Sequence, residues 1–461
     1  MQPPVNVVIL AAGLGTRMKS KYAKVLHRAG GLTLIEHVVR AAAGIASPEH
    51  ITVVVGHQGE QVKATLDSSG VRFAEQTEQK GTGDAVLVCR EALHRQKGFV
   101  VVLYGDCPLL SEATLRELVD RQATSDAAAT LIITRLEDPA GYGRVVLDEQ
   151  GRVKAIVEQK AATPEQLAIS SINTGIYCFR ADLLWKHIGE IRPDNRAHEY
   201  YLTDIVEILN RAGHNVAAME VSNPAELLGI NTRVELAEAD KILRDRKARQ
   251  LMLEGVTIER PETVSIDGDV RIGGDSVIGA FTQILGTSQI GVDCRIGAGS
   301  IISNSQLADG VQVAPFTSIA DSQIGAGAHI GPFARLRNGN RVGANAHIGN
   351  FVELKNTQFA AGAKANHLAY LGDTEIGEKT NIGAGTITCN FDGEKKHRTR
   401  IGKDVFVGSN STLVAPIELG EGSYIGAGSV ITDPVPADAL ALGRARQVIK
   451  EGWATKKKKK K

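Results

Sequence analysis

The stretch RVELAEADKILRDRKARQLMLEG, residues 233–255, separates two parts of the chain that follow different periods. It is rich in Leu, Ala, Glu, Lys and Arg and has no Gly or Pro before Gly255, as is typical of a helix that ends at a glycine. Its apolar residues recur at roughly helical intervals between charged ones. An ordinary surface helix within one fold would not explain the change of period. We therefore predict a helical linker at 233–255, between a domain at 1–232 and a domain at 256–461.

After this linker, single aliphatic residues return every six positions almost to the end of the chain. The first uninterrupted run consists of Ile266, Ile272, Ile278, Ile284, Ile290, Ile296 and Ile302. A six-residue period is the signature of the hexapeptide repeat of a parallel β-helix, in which each aliphatic residue points inward. Breaks in such a solenoid mark loops, often on a functional face. We expect the two largest loops at 355–375 and 388–400.

Before the linker, short apolar runs alternate with helical segments. The runs at 5–12, 51–55 and 99–103 read VNVVILAA, ITVVV and FVVVL. The alternation predicts an α/β domain with a largely parallel sheet, in which ligands bind at the carboxyl ends of the strands. A glycine-rich loop follows the first run and places backbone N–H groups where they can hold phosphates. This loop lacks the GK[ST] of a Walker A motif and the third Gly of the dinucleotide fingerprint.

Charged residues beside this loop favour a nucleoside triphosphate as its ligand. Arg17 and Lys24 supply cations on the same side of the predicted sheet. Tyr104, Gly105 and Asp106 lie at the carboxyl end of the run at 99–103, which makes Asp106 a candidate Mg²⁺ ligand. The alternative for an isolated aspartate is a turn residue or a helix N-cap, which is less common directly after a buried strand.

Composition excludes several other classes of protein. The net charge of +1 argues against binding to nucleic acid. The five cysteines lie far apart without a CxxC pair, which fits reduced thiols in a cytosolic protein better than disulfides or a zinc site. No apolar run approaches the roughly 20 residues of a membrane span, and we expect no stable membrane insertion. The lysines at 456–461 are most simply a solvated end.

Eight motifs of the N-terminal half occur in a specific order: LAAGLGTRM (10–18), KVLH (24–27), EQKGTGDA (78–85), LYGDCPLL (103–110), GYGRVV (141–146), IVEQK (156–160), INTGIY (172–177) and EYYLTD (199–204). Together they resemble nucleotide-sugar pyrophosphorylases, specifically the uridylyltransferase half of the bifunctional bacterial enzymes that make UDP-N-acetylglucosamine. The resemblance implies a Rossmann-like domain that binds UTP, Mg²⁺ and N-acetylglucosamine 1-phosphate. The chain departs from the family at Ala23, where Pro is expected.

The same resemblance implies roles for individual residues. Arg17 would contact the triphosphate, Lys24 the reacting phosphate, and Asp106 and Asn231 the Mg²⁺. Ala11, Ala12, Gly13 and Gly15 would hold the nucleotide, and Gln76, Gly81 and Thr82 would bind its uracil base. Gly143, Glu158 and Asn173 would position the sugar. Leu10, Tyr104 and Gly105 are further candidates for substrate binding. A phosphate oxygen of the sugar phosphate attacks the α-phosphorus of UTP and pyrophosphate leaves. Alignment and neutralisation of charge supply most of this catalysis.

Four motifs of the C-terminal half carry a second resemblance: GNFVELK (349–355), HLAYLGD (367–373), NIGAGTITCNFDG (381–393) and KEGW (450–453). They resemble the acetyltransferase half of the same bifunctional enzymes, which are hexapeptide acyltransferases. This resemblance implies a left-handed β-helix, and a homotrimer whose acetyltransferase sites are shared between neighbouring subunits. It implies two substrates, glucosamine 1-phosphate and acetyl-CoA.

A lone histidine in a loop is usually a surface residue, but His367 lies beside Tyr370 in a repeat that otherwise avoids such side chains. By resemblance, His367 is the general base, aided by Glu353. The sugar phosphate would be held by Arg337, Lys355, Tyr370 and Asn381. Acetyl-CoA would be bound by Ala384, Asn390, Phe391, Ser409, Ala427 and Arg444. The chain departs from the family at Phe391, where Tyr is expected, and at Asn338, where Pro is expected.

The sequence thus predicts a cytoplasmic, trimeric enzyme with two active sites. It acetylates glucosamine 1-phosphate and joins the product to UTP, and UDP-N-acetylglucosamine then feeds peptidoglycan and related envelope sugars. One alternative is a pyrophosphorylase for another sugar, whose β-helix serves only as an oligomerisation and regulatory scaffold. The other is a non-enzymatic, trimeric sensor of sugar nucleotides.

Overall fold

The computed structural model describes residues 3–195 and 198–458. The chain forms two compact units, Met1–Leu243 and Arg244–Lys461. The division falls within the helix Arg233–Leu253, inside the stretch that we predicted as the linker. None of the described helices is both long and apolar enough to cross a membrane.

The first unit is built on a mixed sheet flanked by helices. Its strands are β1 (Val5–Leu10), β2 (Arg28–Ala29), β3 (Leu32–Thr33), β4 (Ile51–Val55), β5 (Arg72–Glu75), β6 (Phe99–Tyr104), β7 (Ala129–Arg135), β8 (Arg144–Leu147), β9 (Val153–Val157), β10 (Ser171–Arg180) and β11 (Val216–Glu220). The helices up to the linker are α1 (Leu34–Ala43), α2 (Gly59–Thr65), α3 (Thr82–Leu87), α4 (Arg90–Leu93), α5 (Glu112–Thr124), α6 (Pro164–Leu167), α7 (Ala181–His187), α8 (Ile205–Arg211) and α9 (Arg233–Leu253). The main sheet has the order β11-β7-β10-β6-β1-β4-β5, and β10 is antiparallel to both of its neighbours.

The central strands of this sheet are buried on both faces, as continuous apolar runs predict. Alternate residues of β1 divide between two cores, because successive side chains of a strand point to opposite faces. Val8 packs in one core with Val54 and Val102. Val7 packs in the other core, on the opposite face of the sheet. Because β1, β4 and β6 are parallel, their carboxyl ends lie along one edge.

Helix α9 begins at a capping box. The Thr232 hydroxyl accepts a hydrogen bond from the Glu235 backbone N–H at 3.2 Å, and the Glu235 carboxylate accepts one from the Thr232 N–H at 3.0 Å. The helix ends before Gly255, whose φ is +94°. Ala239 packs in a core of the first unit, whereas Leu251 packs in the core of the second.

The second unit is a left-handed parallel β-helix with three faces. The strands of face A are Thr257–Ile258, Val277–Ile278, Arg295–Ile296, Gln312–Val313, His329–Ile330, His347–Asn350, Lys364–His367, Asn381–Ile382, Phe406–Val407, Tyr424–Ile425 and Leu440–Ala441. The strands of face B are Ser265–Ile266, Gln283–Leu285, Ile301–Ser303, Ser318–Ala320, Arg335–Arg337, Glu353–Lys355, Tyr370–Gly372, Ile387–Cys389, Thr412–Val414 and Val430–Ile431. The strands of face C are Arg271–Ile272, Gln289–Ile290, Gln306–Leu307, Gln323–Ile324, Arg341–Val342, Gln358–Phe359, Thr374–Ile376, Thr399–Ile401 and Ile417–Leu419. The last described helix is α10 (Trp453–Lys458).

The hexad prediction is confirmed, because the predicted aliphatic residues form one continuous buried core. The prediction of a large loop at 355–375 is wrong, because strands of all three faces continue through this range. Phe359, Ala365 and Leu371 continue the inward positions through this coil and are at most 1% exposed. A large Phe and a small Ala share the interior of one coil, so its volume is filled without an aliphatic residue at each position. The loop after Cys389 is real and contains a short antiparallel bridge between Phe391 and Lys396.

Truncating one inward side chain tests the energetic role of this core. Ile302→Ala is expected to lower the free energy of unfolding of the β-helix by about 2–5 kcal/mol, because Ile302 is fully buried and its loss leaves a cavity. Urea denaturation followed by circular dichroism measures the change. The matched control is Gln306→Ala on an outward position, for which we expect a change within about 0.5 kcal/mol. Equal effects of the two substitutions would contradict the inward assignment.

Candidate active sites

The glycine-rich loop lies at the carboxyl edge of the sheet. The Ala11 N–H donates to the Val54 carbonyl at 2.9 Å, and the Gly105 N–H donates to the Leu10 carbonyl at 3.0 Å. These two hydrogen bonds join the carboxyl ends of β1, β4 and β6. Gly15 has a φ of +60°, and a Cβ there would lie 2.6 Å from the Cβ of Lys24. Only glycine therefore lets this loop approach the lysine. Ala11 and Ala12 are buried, whereas a Cβ at Gly13 would meet nothing within 4 Å.

Four of the predicted residues converge beside this loop. The Lys24 ammonium donates to the Asp106 carboxylate, and it donates to the Asn231 Oδ1 at 3.1 Å. Arg17 donates to the same Asn231 oxygen at 2.7 Å. A backbone hydrogen bond holds Asp106 and Asn231 near each other, because Ile230, which precedes Asn231, donates its N–H to the Asp106 carbonyl at 2.9 Å. Two cations and two oxygen ligands are thus gathered from distant parts of the chain.

The residue types of this cluster fit a magnesium ion. The oxygens of Asp106 and Asn231 both contact the Lys24 ammonium, so they already face one cation. Mg²⁺ prefers oxygen ligands, keeps several waters and often takes only one or two protein groups. No cluster of three or more His, Cys, Asp and Glu side chains occurs in the described part of the chain, and such a site does not need one. A Cβ at Gly229 would lie 3.0 Å from the Asp106 Oδ1, which explains the glycine there.

The residues predicted to bind the base surround the start of α3. Gln76 donates to the Gly81 carbonyl at 3.0 Å and to the Asp84 carboxylate at 2.8 Å. A Cβ at Gly81 would lie 2.6 Å from the Tyr200 carbonyl oxygen. The Thr82 hydroxyl accepts from the Leu202 N–H at 3.0 Å. Sequence reasoning did not identify Asp84, which orients Gln76; nothing in the local pattern distinguishes it.

The residues predicted to bind the sugar lie at three strands: Gly143 directly precedes β8, Glu158 directly follows β9, and Asn173 lies within β10. Asn173 donates its backbone N–H to the Gly143 carbonyl at 2.9 Å, and its side-chain oxygen accepts from the Tyr177 hydroxyl at 3.0 Å. Burial and the nearby Asp204 carboxylate raise the pKa of Glu158. Burial and the charge of Asp106 raise the pKa of the Tyr104 phenol. Asp204 is a second carboxylate near Glu158, and sequence reasoning included it only as part of the motif EYYLTD.

In the second unit, His367 lies at the end of a face A strand, not in a loop. Its Nδ1 is 2.7 Å from the side-chain oxygen of Asn350, which lies in register on the preceding coil. Because an amide oxygen can only accept, Nδ1 carries the hydrogen and Nε2 has the free lone pair of a base. Sequence reasoning missed Asn350, although it lies 17 residues before His367, close to one coil of the repeat.

Glu353, the predicted helper of His367, has a different partner. Its carboxylate accepts from Arg337 Nε at 2.7 Å and lies 3.9 Å from Arg335 Nη1. Glu353 is also in register with Tyr370 of the next coil. The structure therefore places Glu353 beside two of the residues predicted to bind the sugar phosphate, Arg337 and Tyr370.

A buried lysine lies near this group. Lys355 is 8% exposed, and its ammonium is 3.5 Å from the Asp373 carboxylate. Lys396, from the loop after Cys389, lies close enough to Lys355 for each amine to shift the pKa of the other. The hydrogen bond and the charge of Lys355 lower the pKa of Lys396. Sequence reasoning missed both Asp373 and Lys396, which it quoted only as parts of a motif and a loop.

Three residues predicted to bind acetyl-CoA occupy equivalent turns on successive coils. Ala384, Ser409 and Ala427 follow glycines at 383, 408 and 426. A Cβ at Gly383 would lie 2.6 Å from the Ser409 nitrogen, so these turns pack backbone against backbone. The Ala427 carbonyl accepts from Arg444 at 2.9 Å. Asn390 and the exposed Phe391, also predicted to bind acetyl-CoA, lie on the loop after Cys389. Asn381, which was predicted to hold the sugar phosphate, lies on face A.

Two family models match parts of the chain. The model described as nucleotidyl transferase matches residues 6–223, and the model described as hexapeptide repeat of succinyl-transferase matches residues 398–433. The first match covers most of the main sheet of the first unit and both Lys24 and Asp106, which lie in the connections between its strands. The second covers coils of the β-helix that follow His367.

Curated relatives match the chain over its whole length. A protein named "Bifunctional protein GlmU" from Solibacter usitatus (strain Ellin6076) is 61% identical over 459 residues, which is 100% of this chain and 98% of the relative. Proteins of the same name from Koribacter versatilis (strain Ellin345) and Anaeromyxobacter sp. (strain Fw109-5) are 51% and 50% identical. They cover 98% and 99% of this chain, and 97% and 93% of their own lengths.

Proposed function

Because the chain belongs to the GlmU family of bifunctional proteins, we propose that it makes UDP-N-acetylglucosamine in two steps. The β-helix transfers the acetyl group of acetyl-CoA to glucosamine 1-phosphate. The nucleotidyltransferase unit then joins N-acetylglucosamine 1-phosphate to UTP with Mg²⁺ and releases pyrophosphate. The enzyme acts in the cytoplasm, which five unpaired cysteines suit, and its product supplies envelope polysaccharides such as peptidoglycan.

The convergence of Arg17, Lys24, Asp106 and Asn231 is the observation that supports uridylyl transfer. Arg17 lies at the end of the glycine-rich loop and Lys24 packs against its Gly15, where a triphosphate would meet both cations. When bound at Asp106 and Asn231, Mg²⁺ would neutralise negative charge on the phosphates. Lys24 stabilises the charge on the reacting phosphate, and the loop fixes the α-phosphorus in line with the incoming sugar phosphate oxygen.

Acetyl transfer rests on His367 and Asn350. Asn350 holds the imidazole with Nδ1 protonated, so that Nε2 accepts a proton from the amine of glucosamine 1-phosphate. The amine nitrogen of glucosamine 1-phosphate attacks the thioester carbonyl of acetyl-CoA. The new C–N bond forms, the C–S bond breaks, and CoA leaves as the thiol after taking up a proton. Lys355 and Arg337 hold the phosphate of the acceptor. Cys389 takes no part, since direct transfer needs no acyl-enzyme.

A stripe of exposed aromatic residues supports a trimer with shared sites. It consists of Phe281, Phe316, Phe333 and Phe351, each with a positive φ at the turn from face A to face B. The rings of Phe316, Phe333 and Phe351 stack with centroids 5.3 and 5.4 Å apart. A row of exposed aromatic rings is costly unless another surface covers it. Phe351 directly follows Asn350, so a neighbouring subunit on this stripe would reach the acetyltransferase site.

Thiol release from acetyl-CoA with glucosamine 1-phosphate, without UTP, is the experiment that tests this function. Release of CoA-thiol establishes the β-helix as an enzyme and rejects the alternative of a scaffold. Magnesium-dependent release of pyrophosphate from UTP and N-acetylglucosamine 1-phosphate rejects the alternative of a sensor. Pyrophosphate formation without thiol release would reduce the β-helix to a scaffold and contradict the proposal.

The contact between Asn350 and His367 makes a further prediction. Asn350→Ala is expected to lower kcat for acetyl transfer by about 10-fold or more, because the imidazole loses the hydrogen bond that fixes its tautomer. Steady-state thiol release measures the change, and Asn350→Asp, which keeps an acceptor oxygen, should lose less. Uridylyl transfer by the same protein serves as the internal control. An unchanged kcat in Asn350→Ala would contradict this role.

A further inference from the structure

One carboxylate in the β-helix contacts three side chains from two segments, the consecutive residues Lys355 and Asn356 and the later Asn390. Asp373 Oδ2 accepts from Asn390 Nδ2 at 2.5 Å and lies 3.5 Å from the Lys355 ammonium. Asp373 Oδ1 accepts from Asn356 Nδ2 at 2.7 Å. Its backbone N–H also donates to the Lys355 carbonyl at 2.9 Å. The side chain is only 13% exposed, so these contacts are largely removed from water.

The three partners do not have the same expected tasks. Lys355 is a candidate ligand of the acceptor phosphate, and Asn390 is a candidate ligand of acetyl-CoA. Asn356 lies at a left-handed turn beside Lys355 and holds the second carboxylate oxygen. A carboxylate that binds two groups at once fixes the distance between them. The shared hydrogen bonds therefore connect the surfaces that would hold the two substrates.

Asp373 also lies within a group of cations. The positive charges of Lys355 and Arg337 act to lower the pKa of Lys396, whereas the negative charge of Asp373 acts to raise it. Burial acts to raise the pKa of Asp373, but hydrogen bonds from Asn356, Asn390 and Lys355 hold it below its usual value. The carboxylate is thus charged whenever the enzyme works near neutral pH. A phosphate dianion would bind best when both lysines are protonated.

We propose that Asp373 is a positioning residue of the acetyltransferase site, which aims Lys355 at the acceptor phosphate and Asn390 at acetyl-CoA through one carboxylate. The proposal rests on the proposed acetyl transfer. Asp373 does not touch the reacting atoms. It acts through its partners, so its loss should weaken the binding of both substrates more than it slows the chemical step.

The full-length Asp373→Asn variant tests this role. Asn keeps the size of the side chain and tolerates the left-handed φ of +51°. It removes the negative charge, and its side-chain NH₂ group would face an N–H donor of a partner instead of accepting a hydrogen bond from it. In assays of thiol release, we expect the KM values for glucosamine 1-phosphate and acetyl-CoA to rise about 10-fold each. We expect kcat to change by less than about threefold, because the base His367 is untouched.

The pH profile separates positioning from a general loss of structure. The charge of Asp373 opposes the lowering of the Lys396 pKa and contributes to the raised pKa of Lys355, so removal of this charge lowers the pKa of both amines. A lysine with a lower pKa loses its proton at a lower pH. The alkaline limb of kcat/KM for glucosamine 1-phosphate should therefore move to lower pH in Asp373→Asn. A purely structural defect would lower activity by the same factor at each pH.

Two further variants complete the design. Asp404→Asn is the matched control, since Asp404 is an exposed aspartate with a similar left-handed φ of +55° on a later coil. It should leave both KM values and the pH profile unchanged. Asp373→Glu keeps the charge with a longer reach, so it should keep the alkaline limb in place while the KM values rise. This variant also serves if Asp373→Asn does not fold.

The outcomes distinguish this role from the proposed function. If the unmodified enzyme releases no thiol, acetyl transfer and the role of Asp373 are both rejected. If the unmodified enzyme is active but Asp373→Asn has unchanged KM values, or a uniform loss at all pH values, only the role of Asp373 is rejected. Raised KM values together with the shifted alkaline limb support it.

Discussion

His367→Ala is expected to lower the rate of acetyl transfer by about 10²- to 10⁴-fold, the usual contribution of a positioned general base. The amine of glucosamine 1-phosphate is protonated in much of the physiological pH range and cannot attack a thioester until the proton leaves. Asn350 presents the Nε2 lone pair of His367 for this step. Alanine leaves no group at that place that can accept the proton.

Steady-state thiol release at saturating acetyl-CoA measures this loss, and pyrophosphate release by the same protein should stay within about twofold of the unmodified enzyme. His329→Ala is the matched control, because His329 is an exposed histidine on the same face, two coils earlier. It should leave both activities unchanged. Loss of both activities in a folded His367→Ala protein would show that the two sites are not independent. Full acetyl transfer in that variant would reject His367 as the base.

Asp106→Ala is expected to have the opposite effect, with uridylyl transfer lowered by about 10²- to 10³-fold and acetyl transfer retained. The substitution removes the carboxylate that pairs with Lys24 and that would bind Mg²⁺. Lys24 then has only the Asn231 oxygen as a partner among the contacts described for this cluster. The reacting phosphates would lose both a neutralising metal and a fixed ammonium group.

Pyrophosphate release from UTP and N-acetylglucosamine 1-phosphate, titrated with Mg²⁺, measures this effect. Asp106→Asn keeps one oxygen without the charge, so it should need more Mg²⁺ and recover part of the activity. Asp67→Ala, an exposed aspartate of the same unit, should behave like the unmodified enzyme. An Asp106→Ala protein with normal activity at normal Mg²⁺ would reject the metal site.

Most of the fold could be predicted from local patterns. The six-residue period after Gly255 admits one architecture, because neither a helix nor a simple strand places apolar residues at that spacing. The continuous apolar runs at 51–55 and 99–103 are buried strands, as their composition predicted. The error at 355–375 arose because the inward positions Phe359 and Ala365 are not aliphatic residues of the usual size, although they fill the same core.

The candidate sites could be predicted only in part. The family resemblance named Lys24, Asp106 and Asn231, but the separations of 82 residues between Lys24 and Asp106 and of 207 residues between Lys24 and Asn231 carry no period that would join them. Only the folded sheet and its loops place their side chains within one cluster. Tertiary structure likewise gave Gln76 its partner Asp84 and gave Glu353 its partner Arg337.

By itself, the sequence determined the two-part architecture, the buried positions of the β-helix and the chemical types of the site residues, because these depend on local periods and on motifs. The partners of those residues were decided by tertiary structure alone. His367 meets Asn350, and Asp373 meets Asn390, at a separation of 17 residues, close to one coil of the solenoid. Stacking of successive coils brings such residues together, and a hydrogen bond depends on that three-dimensional distance rather than on neighbours in the chain.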